Sequence, residues 1–436
     1  MKKPILWHSL LNFVGYGIPL MMGVIAIPWL LHNMGAERFG LLALAWAFTG
    51  YLTLLDFGLG RAMSQQVAKY ANHADSEKIT RLFWDAHITI AGFGLVGTLL
   101  ILAVVPLAIT HLPNINSDIH EETARALWFT ALMVFPTLLL NSLNNFLLAL
   151  EQFTWLNVLK VPLNTLNIAI PVWVTAYPDS QLFGILDTTC LYLLIGRSGF
   201  ILVMFAVCAK VSPAIMQLTT FSYAYPKRLL TLGGWMTVTN IVGPMMTYFD
   251  RFFISVLLSP QAVATYTIAY ELASKLSAIP NALTTTLAPV FAKDCDNQQD
   301  NIATIVKSIQ WLSVIFIPVL LLMPMFITPL LQWWLGIDDV QVMAASVHWL
   351  AWGFYLNAIA LVAYTYLQYI GRPDLTAKLH LLELPLYAFV LWLCLSTLGI
   401  KGAAIAWVIR AGIDMLFLLA TVYYLNRPLQ QSHATL

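Results

Sequence analysis

Five basic residues fall where the chain is otherwise apolar: Arg61, Arg197, Arg251, Lys275 and Arg410. Four acids share those surroundings, Asp56, Asp250, Glu271 and Asp414. A cation at mid-bilayer costs roughly 2.5–3.5 kcal/mol on insertion scales, so such residues face a bundle interior or an aqueous cavity rather than lipid. Acids in the same setting are the usual carriers of a proton or another coupling ion. Spacing distinguishes the nine. Arg197 has no acid within four residues and is the foremost candidate for holding a substrate. Lys275 lies four residues after Glu271, and Asp414 four after Arg410, spacings that allow an ion pair along one helix. Arg251 adjoins Asp250 and reads equally as a local pair, an outer gate or a substrate contact. Arg61, at the inner end of its span, could snorkel to the interface or line a cavity. Asp56 could couple an ion or brace the glycine-rich turn that follows it. Glu271 is the preferred coupling residue, because protonating it would release Lys275.

The elements that carry these residues must be membrane helices. Of 436 residues, 59% are hydrophobic and 10% charged, whereas a soluble domain carries about 25% charged residues. Apolar runs of about 20 residues recur, long enough to cross the hydrocarbon layer as helices. Twelve are legible, at 10–31, 38–62, 86–110, 125–149, 161–177, 183–208, 229–250, 262–285, 310–334, 347–370, 380–397 and 402–425. The first follows Met1-Lys2-Lys3 but is too long for a signal core and lacks a cleavage site, so it reads as a true span. Prolines within spans, Pro136, Pro280 and Pro385 among them, would kink or break helices.

Charge sidedness orients the chain. With the N-terminus inside, fourteen Lys and Arg fall in inner segments, against Arg38, Arg125 and Lys401 outside. That bias places both termini in the cytoplasm. Outer loops lean acidic, with Asp118, Glu121, Glu122, Asp338 and Asp339. Cys190, Cys208, Cys394 and Cys295 form no disulfide framework and no metal-ligand spacing. No cofactor is expected, apart from coupling to protons or another ion. His87 and His380 read as polar groups at span ends, and Trp333, Trp334 and Trp349 as interfacial anchors.

The prolines of the inner connection 211–228, Pro213 and Pro226, divide the chain into an N-terminal six-helix lobe, 1–210, and a C-terminal one, 229–436. Shifting the sequence by 224 lays Gly35–Ala45 on Ser259–Ala269 and Val67-Ala68-Lys69 on Phe291-Ala292-Lys293. Arg197 in the sixth span likewise answers Arg410 in the twelfth. Two halves of like orientation, with a substrate path between them, are a transporter pattern.

The stretch LLHNMGAERFGLLALAWAFTGYLTLLDFGLGRAMSQQVA, Leu30 to Ala68, resembles the start of Wzx-type O-antigen and exopolysaccharide flippases, in the polysaccharide-transporter branch of the multidrug/oligosaccharidyl-lipid/polysaccharide (MOP) exporter superfamily. Further matching stretches run from Asp250 to Lys293 and from Leu367 to Tyr387. The resemblance implies an all-α integral membrane protein, twelve helices in two lobes forming a V around a central cavity, working by alternating access. It also implies a cargo of undecaprenyl diphosphate carrying an oligosaccharide repeat unit, moved to the outer leaflet of the bacterial inner membrane. Guanidinium groups bind phosphate oxygens in bidentate fashion, which gives the five cations a reason to be kept. Expected partners are the lipid-linked glycan, membrane lipid and polysaccharide polymerase machinery, with no nucleic acid. Three rivals stand beside this reading. A multidrug or toxin exporter of the same superfamily would favour acids over five cations. A membrane polysaccharide polymerase or ligase would need catalytic groups on larger outer loops. A structural scaffold would leave the buried cations without a purpose.

Overall fold

Inside hydrocarbon every backbone N–H and C=O must find its partner within the chain, and helices do this segment by segment. All regular elements described are helical. The computed structural model describes residues 3–52, 59–71, 76–110, 115–217, 242, 245–246, 248–293, 298–370 and 372–425. Its helices are α1 (Lys3–Leu52), α2 (Leu59–Ala71), α3 (Ser76–Thr110), α4 (His120–Leu132), α5 (Val134–Ala149), α6 (Phe153–Ala176) and α7 (Ile185–Val211). After α8 (248–257) follow α9 (Pro260–Ser274), α10 (Ala278–Lys293), α11 (Gln298–Leu335), α12 (Gln341–Tyr369), α13 (Pro373–Leu398) and α14 (Ile400–Leu425). Eight spans among the described residues are long and apolar enough to cross a membrane.

Several expected spans change form for local reasons. The first two are joined in α1, which bends at Gly35, where φ is +80° and ψ 160°. Only glycine adopts that conformation without strain. The fourth is split into α4 and α5 at Met133, whose N–H is shared between the carbonyls of Phe129 and Thr130. Pro136, three residues on, has no N–H to return to the turn before it. The eighth is interrupted by a 3-10 turn, Lys275–Ser277, between α9 and α10. Pro280 explains it in the same way, because it cannot donate to the carbonyl of Leu276. Most of the seventh span lies outside the described residues, as does 218–228 of the inner connection.

The chain forms two compact units, 1–248 with 259–264, and 249–258 with 265–436. The first packs α2, α3, α5 and α7 around Leu59, Met63, Phe83, Phe146 and Cys208. Phe83 and Phe146 meet edge-on at 4.7 Å. In the second, Phe291, Phe316, Ala358, Ala363 and Leu418 bring α10, α11, α12 and α14 together. Small residues let the backbones of such a bundle approach. Gly353 on α12 lies so close to Trp407 on α14 that a Cβ there would sit 2.4 Å from the indole. The turn from α13 to α14 is as tight: Gly399 has φ +60°, and a Cβ on Gly402 would fall 2.0 Å from the Cys394 carbonyl oxygen. Large apolar side chains such as Leu100, Val314, Phe326 and Leu382 point outward, the pattern of helices solvated by lipid.

Candidate functional site

At one end of the first unit, the residues Gly35-Ala36-Glu37-Arg38-Phe39-Gly40 build a junction. Gly35 turns the chain, and the Glu37 carboxylate then accepts from the backbone N–H and the side-chain amide of Asn116. Arg38 Nε donates to both oxygens of Glu122 on α4, at 3.1 and 3.0 Å. Glu122 also accepts the N–H of Leu186 at 2.6 Å, so a carboxylate of α4 caps the start of α7. Gly184 lies close against that carboxylate, where a Cβ would come within 2.5 Å of it. Next to this, Arg125 Nε donates to buried Asp187 Oδ2 at 2.7 Å. Gly40 backs onto the chain at Pro260, where a Cβ would fall 1.8 Å from the carbonyl oxygen. Four elements are tied by one motif.

Deeper in that unit, Arg197 projects from α7 between two neighbours. Its Nη1 donates to Thr137 Oγ1 of α5 at 2.7 Å and its Nη2 to Asn167 Oδ1 of α6 at 2.8 Å. Both partners are neutral, so the guanidinium is aimed and held while its charge stays available to an anion. Arg197 is half-buried. Arg61 lies on α2 with its side chain outside the described residues, and Asp56 lies outside them altogether.

The second unit gathers the remaining candidates. Asp250 and Arg251 of α8 are buried and stand 3.6 Å apart. Asp250 also accepts from the Tyr266 hydroxyl at 2.6 Å and from the Arg251 N–H at 2.7 Å. Aromatic faces receive the two guanidiniums: Arg251 lies 4.5 Å from the Tyr270 ring centre, and Arg410 lies 4.3 Å from that of Trp407 and 5.7 Å from that of Tyr387. Such stacking offsets part of the desolvation of a buried cation. The rings themselves pack together, Tyr270 meeting Phe354 at 5.5 Å and Trp407 at 5.7 Å. Lys275 and Glu271 do pair, at 2.9 Å, but at 52% and 46% exposure they stand on the unit's surface and not among its buried charges. Asp414 reaches across to His380 of α13, its Oδ1 3.7 Å from Nε2.

Glu383 escaped the sequence reading. It is buried on α13, one turn from His380, and with Asp414 these residues could converge on a small cation. The signal was present as HLLELPLY, which places His380, Glu383 and Tyr387 on one helical face, but the partner Asp414 comes from another helix.

The family described as "Polysaccharide biosynthesis protein" matches residues 1–294, and the family "MatE" matches residues 236–393. A Shigella flexneri protein named "Putative O-antigen transporter" is 29% identical over 422 residues, which is 95% of this chain and 96% of that protein. Among solved structures, an inward-facing multidrug resistance MATE family transporter of the MOP superfamily superposes with a TM-score of 0.77 at 16% identity, over 97% of this chain and 99% of that one. The lipid II flippase MurJ, in an inward-closed conformation, gives 0.71 at 14% identity, over 96% and 87%. The fold is that of these twelve-helix transporters.

Proposed function

The chain belongs to the polysaccharide biosynthesis protein family, and from that premise we propose that it turns undecaprenyl-diphosphate-linked oligosaccharide repeat units from the inner to the outer leaflet. The observation that supports this reading is the similarity, along 95% of the chain, to a protein named "Putative O-antigen transporter". The protein is a multi-pass membrane transporter, and its sequence sidedness supports cytoplasmic termini.

The cargo has three parts with different demands. A prenyl tail never needs to leave lipid, and sugars need a polar route. The diphosphate needs a compensating charge throughout, since an unpaired anion is excluded from hydrocarbon. Arg197 meets the third need: its two neutral hydrogen bonds fix the guanidinium without neutralising it. Arg61 is assigned to the same path. Lys275 joins them as a surface cation that Glu271 holds until a proton or a phosphate displaces it. Arg251 and Arg410, seated among aromatic rings, act through the carboxylates beside them and complete the set. Asp56, Asp250, Glu271 and Asp414 are the acids through which a coupling ion drives alternating access.

The reading is tested by deleting the gene and analysing lipid-linked oligosaccharide. Complete, unpolymerised repeat units should accumulate inside the cell while surface glycan is lost. Normal surface glycan in the deletion strain would refute it. A shared fold with multidrug exporters favours neither cargo, and unchanged drug resistance is expected in the same strain.

A further inference from the structure

Two neighbouring helices of the first unit carry amide side chains inside membrane spans. On α5, Thr137, Asn141, Asn144 and Asn145 stand at i, i+4, i+7 and i+8, which sets them on one face. On α6, Asn164 and Asn167 lie one turn apart. The two faces meet, because the Arg197 guanidinium donates to Thr137 from one nitrogen and to Asn167 from the other. From that bridge both rows run toward the turn that joins α5 to α6. At a rise of about 1.5 Å per residue, Asn141 lies about 12 Å and Asn164 about 16 Å from the helix ends at that turn. Both are well inside their spans.

Asn141, Asn144, Asn145 and Asn164 are partly exposed, and none of their side-chain amides has a hydrogen-bond partner among the described residues. Hydrocarbon offers an amide no partner, so unpaired polar groups within a span face water or a ligand. The other side of α5 is closed by packing: Leu138, Leu143, Phe146 and Leu147 are buried in the apolar core of the unit. Only the amide side is left open. Neither helix contains an acid, and Lys160, one turn before Asn164, is their single charged residue. A cation would therefore find no counter-charge on these helices, and an apolar compound would leave the amides unpaired.

We infer that Asn141, Asn144, Asn145 and Asn164 form a sugar-binding row, the subsite for the glycan of the cargo, beside the Arg197 site for its diphosphate. Each amide presents donors and an acceptor in one plane, and a sugar hydroxyl both gives and accepts hydrogen bonds. The match is of neutral group to neutral group, so these side chains hold sugar without competing with Arg197 for phosphate. The inference rests on the flippase reading for the identity of the cargo and adds which part of it α5 and α6 hold.

Binding to the purified full-length protein in lipid nanodiscs tests it with two probes: bare undecaprenyl diphosphate, and the same lipid carrying the host's own repeat-unit oligosaccharide. The wild type should bind the glycosylated lipid about 10-fold more tightly than the bare one, the effect of one or two neutral hydrogen bonds. Replacing Asn141→Leu together with Asn145→Leu should abolish that preference and leave affinity for the bare lipid unchanged. Asn164→Leu, on the other helix, should reduce the preference in the same way, so either variant that stays monodisperse suffices. Arg197→Ala should weaken both lipids. Equal affinity of the wild type for the two lipids would overturn the inference, while the flippase reading would still be judged by the deletion strain. An equal loss of both lipids in the amide variants would also overturn it, since the amides would then serve the fold or the diphosphate. A wild type that binds neither lipid would contradict the flippase reading itself and remove this subsite with it.

Discussion

Arg197 shows how much a single residue's surroundings add to its identity. Its type and mid-span place are plain in the sequence, but that Thr137 and Asn167 hold it, and that both are neutral, emerges only when α5, α6 and α7 are packed. Arg197→Ala should slow glycan translocation by about 10- to 100-fold, the range expected when a charge-assisted contact of roughly 1.5–3 kcal/mol is lost. Arg197→Lys keeps the charge but cannot span both neighbours, so it should fall between the two. Rates in reconstituted vesicles read both. Glu271→Gln should weaken the pH dependence of transport by freeing Lys275 permanently, and an unchanged pH profile in vesicles would remove Glu271 from the coupling step. The i,i+4 pairing of Glu271 with Lys275 was legible because helical periodicity alone creates it. The meeting of His380, Glu383 and Asp414 was not, because it depends on how α13 and α14 are turned against each other.

At the level of elements, hydrophobic run length located the helices well and their interruptions poorly. Backbone chemistry decides the latter. Gly35 kinks α1 into two helical stretches where hydropathy sees two spans, and Pro136 and Pro280 break spans that hydropathy reads as whole. Pro280→Ala should let α9 and α10 join through Lys275–Ser277. Thermal stability should stay level or rise while transport falls, a combination that separates a mechanical role from a folding one. At the Gly35–Gly40 junction the opposite outcome is expected. Removing the Glu122 carboxylate strands Arg38 and uncaps α7, so Glu122→Ala should lower stability by about 1–3 kcal/mol in thermal or denaturant unfolding. The cluster Asp118, Glu121 and Glu122 was evident from the sequence. That one of those acids sits 6% exposed, as a bracket between α1, α4 and α7, was not, since a loop's acids look alike until their partners arrive.

For the whole molecule, composition identified the solvent, and the motif GAERFG with LLDFGLGR identified the lineage. Family membership and the transporter fold agree with both. The central claim is that the protein alone moves a lipid-linked glycan across a bilayer. Purified protein in vesicles loaded on both leaflets with undecaprenyl-diphosphate-linked repeat units tests this most directly, with an external, membrane-impermeant pyrophosphatase reporting accessible cargo. With the wild type, the inner-leaflet pool should become cleavable, more slowly with Arg197→Ala, and should stay protected without protein. An inner pool that remains as protected with the wild-type protein as in empty vesicles would contradict the account.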